Sequence, residues 1–471
     1  MTETAGITTG TWRELLGRGN LGASTVLAGG VALYATNEFL TISLLPNAVA
    51  DIGGQRLYAW VTTVYLVASV VAATTVHSTL IRFGPRGAYS LSLSVFGAGS
   101  VVCTAAPTME ALLVGRIVQG LGGGLLAGLG YAVINTALPN RLWTKASALV
   151  SAMWGVGTLI GPAGGGLFAQ FASWRWAFAM LMILTVAVAV LVPVALPARR
   201  DTELDLRRVP IPVWPLVLLG AAALAVSVAG LPRQVWATAA LLILGALLVG
   251  VFLFVDRRLP AAVLPPSTFG PGPLKWIYLS LGVLMAATMA DMYVPLFGQR
   301  LAGLTPVAAG FLAAGLAIGW TVGEISSASM NDDRAIRRTV AVAPAVMAVG
   351  LGLAAVTFRD AVPFGLIAVW AVALLVTGAG VGIAWPHLSA WAMRRVDDPA
   401  EGPAAAAAIN TVQLISGAFG AGLAGVAVNM TENGTATPAR WLFGAFAVLA
   451  ALGVVASTRS GRRCAVAIDA R

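Results

Sequence analysis

What most constrains this chain is a succession of apolar runs of about 20 residues, the length a helix needs to cross the hydrocarbon core of a bilayer. Each run is closed by a short charged or Pro/Gly-rich break. The breaks delimit six runs at roughly 24–50, 57–81, 87–106, 109–138, 144–170 and 175–196. Two more follow at about 212–230 and 235–255, and six near 275–298, 307–329, 338–357, 362–392, 404–428 and 439–458. In lipid every backbone polar group must be satisfied inside its own segment, so runs of this length form helices. The expected fold class is all-α integral membrane, with spans ordered six, two, six. The 471 residues are 58% hydrophobic and 10% charged, which leaves no polar stretch long enough for a soluble domain.

The breaks divide the chain into a cytoplasmic N-terminal segment (1–23), a six-helix bundle (24–196), a linker (197–211) and two additional helices (212–255). A proline-rich interfacial linker (256–274), a second six-helix bundle (275–458) and a cytoplasmic tail (459–471) complete it. A net charge of +10 would point a soluble protein toward nucleic acid, but here the basic residues fall in alternate loops. With both termini in the cytoplasm, about 22 lie inside and about 6 outside, the positive-inside bias. The N-terminal segment lacks the apolar core of a cleavable signal, so the first span is expected to direct insertion. Arginine, alanine and glycine abundance suggests a GC-rich bacterium, hence its inner (cell) membrane. Cys103 and Cys464 are too far apart to imply a disulfide framework, and no metal-ligand cluster is seen.

Few charges lie inside the runs. The stretch Leu112–Gly124, LLVGRIVQGLGGG, sets Arg116 alone in an apolar, glycine-rich span, where a charge is costly enough to imply function. Glu38 sits near the middle of the first run. At a rise of ~1.5 Å per residue, the two reach similar depth and are expected to meet, or to exchange partners through water, inside the first bundle. Moving an arginine toward or away from a carboxyl would unload or load a proton. A permanent Glu–Arg lock and direct substrate binding are the alternatives. Asp291, in the outer half of the ninth run, is either a site for a cationic substrate or second proton, or a solvated carboxylate in an outer vestibule. Glu324 is read as a satisfied interfacial carboxylate, Asp51 and Glu110 as solvated border acids, and His387 as a hydrogen-bonded core residue, with a histidine that titrates near neutrality as the alternative. Asn37, Gln119, Tyr293, Asn410 and Gln413 are the expected cavity-lining residues.

In GTLIGPAGGG, Gly157, Gly161 and Gly165 share one helical face, and small residues four apart let helix backbones touch. This segment, with Pro162 and Gly166, resembles the antiporter motif in the fifth helix of the major facilitator superfamily. Ala148 stands where that pattern has a further glycine. Gly115 to Gly120 resembles the G-R-x-x-Q-G segment of the fourth helix. TNEFLTISLLPNAVADIG is similar to the first-helix signature of the fourteen-span drug/proton antiporter branch, with Pro46 in register. There the acid falls at Glu38 instead of one residue earlier, at Asn37. AWVTTVYLVAS (59–69), SWRWAF (173–178), GAGVGIAWPHLSA and INTVQLISGAFGAGLAG extend the likeness over essentially the whole chain. The superfamily's gating loop maps onto His77 to Arg86, keeping Arg82, Gly84 and Arg86 but placing Ile81 where the acid belongs. Its second copy keeps Asp333, Arg334, Arg337 and Arg338, which would shift the cytoplasmic latch there.

The resemblance implies the major facilitator fold, two six-helix bundles that rock around a central site, with two additional helices between them, fourteen spans in all. It implies a proton-coupled secondary active exporter of amphipathic drugs, powered by the proton gradient and needing no cofactor. Its partners would be small-molecule substrates, protons and the bilayer, with the chain acting as a monomer. A dedicated exporter of an endogenous lipid or metabolite is the alternative within transport, and a non-transporting receptor or scaffold is a third reading. An enzyme is not expected: no Gly-rich phosphate loop, nucleophile–base pair or metal-ligand spacing is present.

Overall fold

Each apolar run folds as helix in the computed structural model, which describes residues 11–197 and 212–461 except 233, 260–261, 329, 331, 361, 397, 399–400 and 431–435. Most of the expected linker at 197–211, most of the tail and Cys464 lie outside the described residues. Among those described, every regular element is a helix. The chain divides into two compact units, one of residues 1–53 and 68–211, the other of 54–67 and 212–471. The first contains α1 (Trp12–Leu15), α2 (Leu21–Ile52) and the end of α3 (Tyr58–Thr74), which divides between the units after Val67. It continues with α4 (Val76–Ala105), α5 (Met109–Ala132), α6 (Ile134–Ala137), α7 (Trp143–Phe171) and α8 (Trp174–Ala195). The second contains the start of α3, then α9 (Val213–Val228), α10 (Val235–Asp256), α11 (Leu274–Thr288), α12 (Val294–Ala302) and α13 (Pro306–Ala328). It ends with α14 (Asp333–Thr357), α15 (Phe364–Gly382), α16 (Trp385–Arg394), α17 (Gly402–Asn429) and α18 (Thr437–Ser460).

Among the described residues, twelve helical stretches are long and apolar enough to cross a membrane. The other two expected spans are α2, whose apolar run Asn37 and Glu38 interrupt, and α9, only 16 residues long. The second expected span is not one helix: α3 stops at Thr74, and α4 starts at Val76 and kinks at Gly84. Gly84 has φ 69°, a conformation that glycine takes without a Cβ clash, and Pro85 after it disfavours the helical region for its predecessor.

Packing repeats between the halves, taking the spans of each half in order. In the first unit the first span packs on the fifth (α2 on α7) and the sixth (α8), and the third (α4) on the fourth (α5) and the sixth. In the second, α11 packs on α17 and α18, and α14 on α15 and α18, the same four pairs. The α9–α10 hairpin adheres to the second unit through α9 on α17. The outward faces need lipid: Val194 of α8 is 92% exposed and Trp236 of α10 is 74% exposed. With hydrocarbon outside, helix association rests on close packing and interhelical hydrogen bonds instead of hydrophobic burial.

Polar ties set the helix ends. Asp51, expected to be merely solvated, accepts from Trp174 Nε1 (3.0 Å) and Arg175 NH1 (2.5 Å), while Arg175 NH2 donates to Ala106 O (3.0 Å). The SWRWAF segment thus fastens the end of α2 to the start of α8. On the opposite side, Arg141 Nε donates to Glu14 Oε1 at 2.7 Å. That bond holds the Glu14 carboxyl below the usual carboxylate range, so the tie is present at neutral pH and lost only as pH falls through the lowered value. In the second unit, Asp256 accepts from the Val263 and Leu264 amides (2.7 and 3.0 Å), and Glu401 accepts from Ser267 N and Oγ (3.2 and 2.5 Å). These two acids pin the proline-rich linker at its start and middle.

Candidate functional site

The first unit's polar centre forms where α2, α5 and α7 close together. Thr108 caps α5 by accepting from Ala111 N (3.3 Å), with Glu110 in the first turn complementing the helix dipole. Gly115 then lets α4 approach: a Cβ there would sit 2.6 Å from Cys103 Sγ. One residue on, Arg116 is 1% exposed. Its NH1 donates to Asn37 Oδ1 on α2 (3.0 Å) and to Gln119 Oε1 one turn along α5 (2.9 Å). Gln119 Nε2 donates to Ser100 Oγ (2.9 Å), and Ser100 Oγ donates to Phe96 O on α4 (2.9 Å). Cys103 Sγ also points at Gln119 Oε1 (3.5 Å). A guanidinium has only donors, so this chain runs in one direction and fixes both side-chain amides.

The expected partner of Arg116 was Glu38. Glu38 does lie within electrostatic range of the guanidinium, and a cross-helix hydrogen bond goes to its neighbour Asn37. One residue is a 100° turn of the helix, enough to aim Asn37 at α5 and leave Glu38 partly exposed. Neither Ser100 nor Cys103 was expected at this site: a serine and a cysteine in an apolar run carry no signal until the facing helix is known.

The antiporter-motif glycines form the wall behind this network. A Cβ on Gly157 would lie 2.7 Å from Ala35 Cβ, on Gly161 2.5 Å from Phe39 Cβ, and on Gly165 2.5 Å from Leu40 O. All three meet α2 on the turns that carry Asn37 and Glu38. Ser43 Oγ donates to Pro162 O (3.2 Å) across the same seam, and Gly166 is buried beside it. Tyr34 packs edge-on against Trp154 at 5.5 Å.

Asp291 lies in the second unit, in the 3-10 turn Met289–Tyr293 that separates α11 from α12. It is 8% exposed, which excludes the solvated vestibule reading in this structure. Tyr293 is buried and stacked on Tyr58. Asn410 and Gln413 lie one turn apart on α17, exposed and partly exposed respectively. Glu324 accepts from Trp320 Nε1 (3.2 Å), as a satisfied carboxylate should. His387 is buried, with Nε2 unpartnered among the described residues.

The gating-loop residues also repeat. Arg86 donates through Nε and NH2 to Leu196 O (3.3 and 3.1 Å), capping the end of α8. Arg337 occupies the corresponding place against Gly461, just past α18, and pairs with Asp333 at 3.6 Å within α14. Arg82, Arg334 and Arg338 are exposed.

Two repeated helix bundles, each with a buried charge near a helix interruption or glycine seam, define a polytopic membrane transporter. The family model of the Major Facilitator Superfamily matches residues 27–421, and the chain belongs to that family. It is therefore a transporter and not an enzyme. It is 64% identical over 468 residues to the "Probable multidrug-efflux transporter Rv1634" of Mycobacterium tuberculosis (strain ATCC 25618 / H37Rv), covering 98% of this chain and 99% of the relative. The "Multidrug transporter protein MdtP" of Bacillus subtilis (strain 168) is 25% identical over 401 residues, 83% of this chain and 72% of its own. Among solved structures, the nucleoside transporter NupG superposes with a TM-score of 0.65 at 12% identity, over 95% of this chain and 100% of that one, a likeness of fold alone.

Proposed function

We propose that this chain is a proton-coupled exporter of amphipathic drugs or similar small molecules, working by alternating access as a monomer in a bacterial inner membrane. In this reading it has fourteen spans, with α2 and α9 added to the twelve strongly apolar stretches, and both termini are cytoplasmic. Glu38 is the proton carrier. Arg116 is the fixed charge beside it, and the Gly157–Gly166 face of α7 is the surface along which α2 shifts between states. Asp333 and Arg337 form the latch of the second half.

The observation that carries this reading is the wiring of Arg116. It is held by Asn37 and by Gln119, which is itself anchored on Ser100, so its charge stays put beside a Glu38 whose surface is only partly covered. A carboxyl beside a fixed positive charge changes its proton affinity when α2 slides or turns on α7. A motion of α2 thereby becomes a proton taken up on one side and released on the other. The name of the 64% identical relative supports efflux as the direction.

The test uses purified protein in liposomes with an imposed pH gradient and a panel of cationic dyes and antibiotics. Wild type should accumulate substrate against its concentration gradient. Glu38→Gln should lose uphill transport while retaining downhill exchange. Uphill transport intact in Glu38→Gln would remove the carrier role.

A further inference from the structure

The added α9–α10 hairpin takes no part in the Arg116 network, yet α9 grips one end of α3. A helix end leaves carbonyls without an intrahelical partner, and α9 stops after 16 residues. Two side chains from other helices reach that end. Trp60 Nε1 of α3 donates to Ser227 O (3.2 Å), and Thr238 Oγ1 of α10 donates to Ala229 O (3.0 Å). Ser227 Oγ donates in turn to Thr63 Oγ1 (3.1 Å), one turn along α3 from Trp60, and Thr63 Oγ1 donates to Ala59 O (3.2 Å). Both hydroxyls are buried. The GAFGAGLAG stretch of α17 forms the floor: a Cβ on Gly422 would lie 2.8 Å from Ser227 Oγ, and one on Gly425 2.8 Å from Ala59 Cβ. At the same end, the Tyr58 hydroxyl donates to Met292 O (3.1 Å) and Asn429 Nδ2 donates to Arg56 O (2.9 Å). All of these residues belong to the second unit.

The other end of α3 is held within the first unit, and held differently. Ser69 Oγ donates to Gly120 O on α5 (3.1 Å), and a Cβ on Gly124 would lie 2.2 Å from Ser69 O, so backbone rests on backbone there. One helix thus answers to two units. Between Tyr58 and Thr74 it has neither Gly nor Pro, the usual sites of a sharp kink. When the units move in alternating access, α3 must therefore let go at one end. Backbone packed on backbone has no rotamer to yield, whereas interhelical side-chain hydrogen bonds in a membrane are individually weak. The Tyr58–Val67 end is the one that parts. We propose that α9 is a clasp on α3: Ser227 holds that end in the second unit and releases it when the transport path opens there. The added hairpin then sets how often α3 is released. The clasp deepens the alternating-access part of the exporter reading, on which it rests.

The experiment measures double electron–electron resonance distances on the purified full chain in lipid nanodiscs. Spin labels are placed on Arg56→Cys and Arg359→Cys, both exposed positions of the second unit, in a Cys464→Ser background. Wild type should show a short and a long distance, and Ser227→Ala should raise the long-to-short ratio about threefold. Thr238→Val removes the other tie on α9 without touching α3 and should leave the ratio unchanged. An unchanged ratio in Ser227→Ala, or an equal shift in Thr238→Val, would overturn the clasp. In liposomes, oxidising the pair Thr63→Cys and Ser227→Cys to a disulfide should stop transport, and a reductant should restore it. Transport undiminished by the formed disulfide would also overturn the clasp. A shifted ratio in Ser227→Ala, from a protein whose wild type moves nothing on a proton gradient, would overturn the exporter reading and support the clasp. Gradient-driven export with an unshifted ratio would do the reverse.

Discussion

Gly161→Val should abolish export, and Gly161→Ala should reduce it by roughly tenfold or more, the larger part of the effect expected from an overpacking penalty of ~1–3 kcal/mol. The added Cβ would lie 2.5 Å from Phe39 Cβ and 2.9 Å from Leu40 N, both on α2. Since non-bonded carbons settle at ~3.5–4.0 Å, α2 and α7 would have to part by about 1 Å along their closest seam. Backbone atoms cannot fold away as a long side chain could. The same seam positions Glu38 and Asn37, so the parting moves the carboxyl relative to Arg116 as well as loosening the bundle. An internal control lies on the same helix. A Cβ on Gly155 would meet nothing within 4 Å, so Gly155→Ala should leave export unchanged and stabilise α7 by up to ~1 kcal/mol through helix propensity alone. Thermal unfolding of both variants, beside initial rates in liposomes, separates the seam from a general intolerance of α7 to substitution.

Arg116→Ala should cost both fold and function. It removes the donor from two amide oxygens at once, Asn37 Oδ1 and Gln119 Oε1, on residues that are fully buried. Asn37 Oδ1 is then left unmade and Gln119 Oε1 keeps only the weak Cys103 thiol, so destabilisation of at least ~1–3 kcal/mol is expected. Arg116→Lys is the sharper variant. It keeps the charge but offers a single ammonium where one guanidinium nitrogen now serves both amides from a rigid plane. The protein should fold and reach the membrane, with uphill transport lowered by about tenfold, because Asn37 is no longer held and the position of the charge beside Glu38 loosens. A double-mutant cycle between Arg116→Lys and Asn37→Ala should show coupling of ~1 kcal/mol or more, the mark of a direct contact. Additive effects would mean that the two residues act independently.

Helix positions were legible from composition because the bilayer imposes one length on every span. The run expected at 235–255 is the helix Val235–Asp256, and that expected at 144–170 is Trp143–Phe171. The run at 57–81 misled because hydropathy does not register a backbone break: Thr75 and Gly84 are as compatible with an apolar stretch as their neighbours. Side-chain partners were harder. Arg116 was visible as a lone buried charge and attraction between opposite charges pointed to Glu38, which lies within its range, but the hydrogen bond to Asn37 depends on helix rotation. Asp51 was placed at a border and judged solvated, since nothing in the local sequence shows that Trp174 and Arg175, over 120 residues away, will reach it. The motif glycines were read correctly as a close-packing face because spacing by four is itself a geometric statement, although which helix they meet had to come from the fold.

Glu38 is proposed to carry the proton exchanged for substrate. The most direct test is proton release on substrate binding, followed with a pH-sensitive dye in weakly buffered detergent solution near neutral pH. Wild type should release about one proton per substrate bound, and Glu38→Gln should bind substrate and release none. Equal proton release from the two proteins would contradict the assignment and move the coupling to another carboxyl.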